Sequence, residues 1–267
     1  MNELSPNNVY KTPEDTKRYL GDRLALGSRW YFIYEFAKIV YRCRYYAVRG
    51  LYDSQKWAET SMDVLRCVER AGGRFHVEGL DYLRNNKEPV VVVGNHMGTL
   101  ETVVLPAMIQ PFFEVTFVVK EKLVKGPIFS PVMKSRDPIV LRRVNPREDL
   151  QKVLTEGPEK LANGSSLIIF PQSTRRTEFI PRQFNSLGVK LARRAKVKVI
   201  PVALKTDFWS NGKLIKGFGP LDRSKTIHFA FGEPREITGN GSKEHAEIVE
   251  FIQQNLDRWG HPRYSGE

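Results

Sequence analysis

The sequence predicts an α/β fold: a mostly parallel central sheet flanked by helices, preceded by an N-terminal helical pair. Two observations carry that prediction. After residue 73, short β-branched runs such as VVVV (90–93) and LIIF (167–170) alternate with longer stretches of helical periodicity. Those runs are apolar without polar alternation, as strands covered by helices on both faces must be. Before residue 73 only helical patterning occurs, which divides the chain into residues 1–73 and a domain at 74–267.

Each element follows in order. Residues 1–27 are polar and read as a loose lead-in. From residue 28, Phe32, Phe36, Ile39, Cys43 and Tyr46 recur at spacings of three and four, beside a charged stripe of Glu35, Lys38, Arg42 and Arg49. Gly50 can end this helix, and Asp53 is placed to N-cap a second that closes at Ala71-Gly72-Gly73. Strands are predicted near 89–94, 115–120, 138–142, 166–170, 197–204 and 227–232. Helices are predicted near 98–110, 147–162, 184–195 and 242–259, with a shorter one at 126–135.

Composition bounds the partners. The chain has 267 residues, 41% hydrophobic and 27% charged, the balance of a folded protein. A formal net charge of +12 calls for an anionic partner, and nucleic acid, an anionic membrane and a phosphorylated substrate all satisfy it. No run reaches the roughly 18–20 apolar residues of a membrane span, and the N-terminus lacks a signal peptide's apolar centre. Cys43 and Cys67 have no metal or redox spacing and read as reduced core thiols of an intracellular protein.

The segment VVVVGNHMGTLE (90–101) poses the central question. A strand ending in Gly94-Asn95-His96 delivers the histidine to the carboxyl edge of the sheet, where ligands bind in open α/β folds. Glu101 lies five residues on, which is not one helix face, so the two meet only if His96 precedes the helix and folds back. A carboxylate there would fix the imidazole tautomer and leave the other nitrogen to take a proton. By itself the segment reads as readily, or more so, as a structural strand-end histidine beside a solvated helix-start charge. Two further strand ends shift the balance. Arg142-Arg143 follow one apolar run, and Phe170-Pro171-Gln172-Ser173-Thr174-Arg175-Arg176 follow another; arginine in such a place suits bidentate phosphate binding.

Asn95-His96-x4-Glu101, Arg142-Arg143, Phe170-Pro171-Gln172-Ser173-Thr174-Arg175 and Ile200-Pro201-Val202-Ala203 occur in this order. Together they resemble the four sequence blocks of the glycerolipid (lysophospholipid) acyltransferase superfamily, which includes the 1-acylglycerol-3-phosphate acyltransferases. The resemblance spans about residues 74–235. Two positions depart from the usual pattern. Glu101 stands where Asp is common, although Glu occurs in the related lipid A late acyltransferases. Gln172-Ser173 stand where Glu-Gly is usual, keeping hydrogen-bonding reach but losing a charge and a glycine's freedom.

The resemblance implies transfer of an acyl chain from a thioester, acyl-CoA or acyl carrier protein, to a lysophospholipid or glycerol-phosphate hydroxyl. His96 would take the hydroxyl proton and Glu101 would stabilise the imidazolium, with no acyl-enzyme. Backbone N–H groups near Gly98 would support the oxyanion. Arg143 and Arg175, with Arg142 and Arg176 as neighbours, would hold the acceptor phosphate. Asn95, Phe170, Pro171, Gln172, Ser173 and Thr174 would support them. No metal, bound cofactor or nucleic acid is expected.

The lipid substrate implies a peripheral enzyme on the cytoplasmic face of a membrane. Trp30, Tyr31, Phe32 and Phe36 beside Lys38, Arg42, Arg44 and Arg49 suit an interfacial helix, or equally an aromatic stripe packed on the sheet. Two alternatives stay open: a lipid A-type or other non-glycerol acceptor, and a catalytically silent basic module binding membrane or nucleic acid.

Overall fold

The computed structural model describes residues 7–172, 174–212, 216–264 and 266, so Ser173 lies outside the described residues. Strand β1 (Val9–Lys11) and helix α1 (Leu20–Leu24) precede the long helix α2 (Arg29–Val48) and α3 (Ser54–Arg70). Then come β2 (Phe75–Glu78), α4 (Leu80–Arg84), β3 (Val91–Gly94), α5 (Leu100–Ile109) and β4 (Val115–Lys120). Two short helices, α6 (Glu121–Lys125) and α7 (Ser130–Lys134), lead to β5 (Ile139–Leu141). The chain ends through α8 (Pro146–Ala162), β6 (Ser166–Ile169), α9 (Leu187–Ala195), β7 (Val199–Lys205), β8 (Ile227–Phe231) and α10 (Ser242–Arg258).

The eight strands form one sheet in the order β1-β2-β8-β7-β3-β6-β4-β5. From β7 through β5 every pairing is parallel, which brings the carboxyl ends of β7, β3, β6, β4 and β5 to one edge. The predicted α/β class with a mostly parallel sheet is what the fold shows. Two features depart from it. β8 runs antiparallel to β7, and β1, inside the supposed lead-in, pairs antiparallel with β2. VYK and FHVE are too short and too mixed in polarity for periodicity to register them. The helix expected at 126–135 is instead α6 and α7, separated around Gly126-Pro127, where proline cannot donate a backbone hydrogen bond.

The N-terminal pair is built as its sequence requires. Asp53 accepts from Lys56 N at 2.7 Å as the N-cap of α3, and Gly72 closes it at φ +94°. On α2, Phe32, Phe36 and Cys43 are buried in a core that also holds Leu65, Val92, Ile200 and Phe229, so the helices and one sheet face share a single apolar layer. Phe32 and Phe36 clamp the Trp209 indole edge-on, with ring centroids 4.9 and 5.1 Å away. These two rings belong to the core reading of α2, not to an exposed face. The opposite stripe of the helix, Trp30, Tyr34, Tyr41, Tyr45 and Val48, is exposed. Among the described residues no helix is long and apolar enough to cross a membrane.

Candidate active site

The site begins where β3 ends. Gly94 has no room for a side chain: a Cβ there would lie 2.6 Å from Val202 Cγ1 and 2.8 Å from the Val202 carbonyl. That close approach lets Asn95 extend the ladder. Its side-chain amide donates to the Leu204 carbonyl and accepts from the Leu204 N–H, both at 2.8 Å, so a side chain performs the role of a paired peptide. With Asn95 locked on β7, the next residue, His96, emerges above the carboxyl edge.

Four contacts then fix His96. Its ring stacks on Phe170 at the end of β6, with centroids 4.4 Å apart and planes 9° from parallel. Its backbone N–H donates to Gln172 Oε1 at 2.8 Å, and its carbonyl accepts from Arg176 N at 3.0 Å. Its Nδ1 lies 2.9 Å from Glu101 Oε1. Glu101 occupies the first turn of α5 and folds back, as the five-residue spacing demanded. The same Oε1 accepts from Met97 N at 2.7 Å and Gly98 N at 2.6 Å, and Oε2 accepts from Thr206 Oγ1 at 2.7 Å.

The Glu101 side chain is fully buried. Burial by itself raises a carboxyl group, but the hydrogen bond and charge of His96, the Gly98 amide and the Thr206 hydroxyl outweigh it and hold Glu101 at about 2. An ionised carboxylate is acceptor-only, so Nδ1 carries the proton and a neutral imidazole keeps its lone pair on Nε2. The His96 side chain retains 14% of its exposure, enough to present that nitrogen at the surface of the site. Such geometry is suited to a carboxylate orienting a base.

The arginines separate into three cases. Arg175 donates from Nη1 to Thr99 Oγ1 at 3.0 Å, immediately before α5, and is half-buried. Burial lowers its guanidinium from the ordinary value and the Glu101 charge opposes that, so a cation stands close to the pair. Arg176 reaches His96 only through its backbone, and its side chain is exposed. Arg142 and Arg143 share the carboxyl edge but follow β5, three strands from β3, roughly 14 Å away at about 4.8 Å a strand. Their backbone N–H groups donate to Asp149 at 3.2 and 3.0 Å, Arg143 adopts φ +60°, and both side chains are exposed. Thr174 bonds locally to the Arg175 carbonyl, and Pro171 O accepts from Asn185.

One expectation is corrected. The Gly98 N–H points at Glu101 Oε1, so it is spent on orienting the carboxylate and is not a free donor for an oxyanion. The chemistry that misplaced it is a reach-back: Glu101 bonds amides preceding its own helix, as in a capping box. Sequence reading also passed over Thr99, Thr206 and Asn211, whose Nδ2 donates to the Met97 carbonyl at 2.8 Å. Lone hydroxyl and amide residues in connecting segments carry no periodic or motif signal.

Likeness to characterised proteins points the same way. The profile of the family described as Acyltransferase matches residues 74–205. A 1-acyl-sn-glycerol-3-phosphate acyltransferase of Pseudomonas aeruginosa is 28% identical over 206 residues, covering 77% of this chain and 74% of that one. A protein of the same description from Chlamydomonas reinhardtii is 29% identical over 126 residues, 47% of this chain and 37% of its own. In fold, the chain is similar to the crystal structure of the 1-acyl-sn-glycerophosphate acyltransferase PlsC of Thermotoga maritima. The TM-score is 0.68 at 20% identity, over 91% of this chain and 98% of that one. Residues 74–205 match the Acyltransferase family, and the chain is an acyltransferase similar in sequence to the 1-acyl-sn-glycerol-3-phosphate acyltransferases.

Proposed function

We propose that this enzyme moves an acyl chain from a thioester, acyl-CoA or acyl carrier protein, to the free hydroxyl of a lysophospholipid of the 1-acylglycerol-3-phosphate type. The observation that carries the reading is the His96–Glu101 contact, Nδ1 held by a buried carboxylate and Nε2 left open, with Arg175 alongside. His96 Nε2 takes the acceptor's hydroxyl proton, and the oxygen attacks the thioester carbonyl carbon. Collapse of the tetrahedral intermediate breaks the carbon–sulfur bond, and the imidazolium returns its proton to the leaving thiolate. Glu101 stabilises the imidazolium between these steps. Neither Cys43 nor Cys67 enters: they lie on α2 and α3, buried in the core.

Arg175 is first choice for the acceptor's phosphate, because its guanidinium is desolvated beside the base. Arg142 and Arg143, exposed at the far strand of the same edge, form an outer part of the basic rim. Arg175→Ala is expected to raise the KM for a phosphorylated acceptor roughly ten- to hundredfold, the range of a charge-assisted hydrogen bond, with a smaller change in kcat. Steady-state kinetics checks this; unchanged constants for every phosphorylated acceptor would remove Arg175 from the assignment.

The acceptor resides in a bilayer, and the exposed stripe of α2 is the surface we assign to it. Trp30, Tyr34, Tyr41 and Tyr45 line that face, with Arg29, Lys38 and Arg49 over the Trp30, Tyr34 and Tyr45 rings at 5.1, 5.0 and 3.6 Å. Aromatic rings interleaved with cations suit an anionic headgroup layer. Sedimentation with phosphatidylglycerol vesicles is expected to pellet the protein. The variant Trp30→Ser/Tyr34→Ser/Tyr41→Ser should bind about tenfold more weakly while retaining its fold, since none of the three rings is in the core. Equal binding by both proteins would place the membrane surface elsewhere.

A further inference from the structure

We propose that Thr206, outside all four motif blocks and one residue past the family match, is a positioning residue that sets the plane of the Glu101 carboxylate and through it the His96 imidazole. The proposal rests on the catalytic reading of His96 given above. Glu101 Oε1 receives three donors, His96 Nδ1 at 2.9 Å, Met97 N at 2.7 Å and Gly98 N at 2.6 Å. Oε2 accepts from the Thr206 hydroxyl at 2.7 Å. Glutamate's last torsion is broad and roughly two-fold, so one bonded oxygen alone does not fix the carboxylate plane. A donor on the second oxygen does.

Two features make this more than a passing contact. Both Glu101 and Thr206 are fully buried, so water does not stand in for a missing hydroxyl. Thr206 is also held by the element that holds His96. It is the first residue after β7, and β7 is tied to β3 by the Gly94–Val202 pairing and by both Asn95–Leu204 hydrogen bonds. Its carbonyl accepts from Trp209 N at 3.3 Å, closing the turn that follows. The spacing between base, carboxylate and hydroxyl is therefore set by one strand pair. The extra methylene of Glu101, where relatives commonly carry Asp, gives the reach from α5 to both strand ends.

Two variants test the assignment. Thr206→Val keeps the shape and removes the donor; Thr206→Ser keeps the donor and removes a methyl group. Thr206→Val is expected to lower kcat for acyl transfer roughly ten- to hundredfold with acceptor KM within about twofold, and Thr206→Ser to restore most of the turnover. In the substrate-free protein, the proton NMR resonance of the His96 Nδ1–H should persist in wild type and Thr206→Ser and vanish by exchange in Thr206→Val. In a Glu101→Gln background Thr206→Val should add little, because the two residues act in series. An unchanged resonance and near-normal kcat in Thr206→Val would overturn the proposal, as would a Thr206→Ser variant no better than Thr206→Val. If Thr206→Val does not fold, Thr206→Ser alone decides: a kcat lowered by tenfold or more shows that the hydroxyl is not what matters. If the wild-type protein transfers no acyl group, loss of the resonance in Thr206→Val would uphold the positioning role and refute the functional reading instead.

Discussion

His96→Ala is expected to reduce acyl transfer by about 10³-fold or more, to the level of substrate positioning without a base. The fold should survive it. The imidazole sits at the mouth of the site, packed on Phe170, and the backbone of residue 96 keeps its bonds to Gln172 and Arg176. Glu101 likewise keeps Met97, Gly98 and Thr206 as donors. Thermal unfolding within a few degrees of wild type, together with absent turnover in a thioester-consumption assay, is the predicted pair of results. Near-normal turnover would exclude His96 as the base.

Glu101→Ala has the larger combined effect, because it touches stability as well as rate. Removing the carboxylate leaves the Met97 and Gly98 amides and the Thr206 hydroxyl without their acceptor in a fully buried place. At about 1–3 kcal/mol for an orphaned donor, partly relieved by relaxation, the expected loss is about 3–5 kcal/mol. The imidazole also loses what fixes its tautomer, which is worth up to about 10⁴ in kcat where a carboxylate orients a base. Glu101→Gln separates the two effects, since it fills the space but cannot accept all four bonds as an anion.

The pH dependence has a definite sign. Glu101 is held at about 2 in the folded protein against an ordinary value of 4.5. A depressed folded value means the stabilisation is fully present above about 4.5 and is lost as pH falls toward 2, an effect of order 3 kcal/mol. Urea unfolding of wild type and Glu101→Gln at pH 7 and pH 3 checks this. Wild type should lose part of that stability on acidification, and Glu101→Gln should lose less.

How much of this was legible in the sequence differs by element. The buried strands β3, β6 and β7 announced themselves because continuous β-branched runs occur only where helices cover both sheet faces. β1 and β2 left no such trace, and the antiparallel turn of β8 against β7 is a matter of tertiary pairing that local pattern does not encode. At the site, His96 and Glu101 were readable because their spacing and strand-end position are local properties. Gln172 was readable as a residue but not as an acceptor for the His96 N–H, a contact spanning 76 residues. In this chain the Gln172 carbonyl oxygen accepts one backbone N–H, that of His96. Thr206 was invisible for a related reason, since it meets Glu101 across 105 residues. Gly98 departs from its expected role because its N–H is taken by Glu101, an acceptor that only the folded-back side chain brings within reach.

Phosphate recognition shows the same division. Arg175 and Arg142-Arg143 look equivalent in sequence, each a basic residue after an apolar run. Strand order separates them, placing β6 beside β3 and β5 at the sheet's edge. Arg175 alone is both desolvated and close to Glu101.

Acyl transfer to a phosphorylated lysolipid hydroxyl is the activity proposed for the His96–Glu101 pair. It is tested most directly by incubating the purified protein and its His96→Ala variant with a labelled acyl thioester and a panel of lysolipids, then identifying products by mass spectrometry. Labelled phosphatidate is expected from 1-acylglycerol-3-phosphate with wild type and none above background with His96→Ala. Thioester hydrolysis without any acylated lipid, or equal product from both proteins, would contradict it.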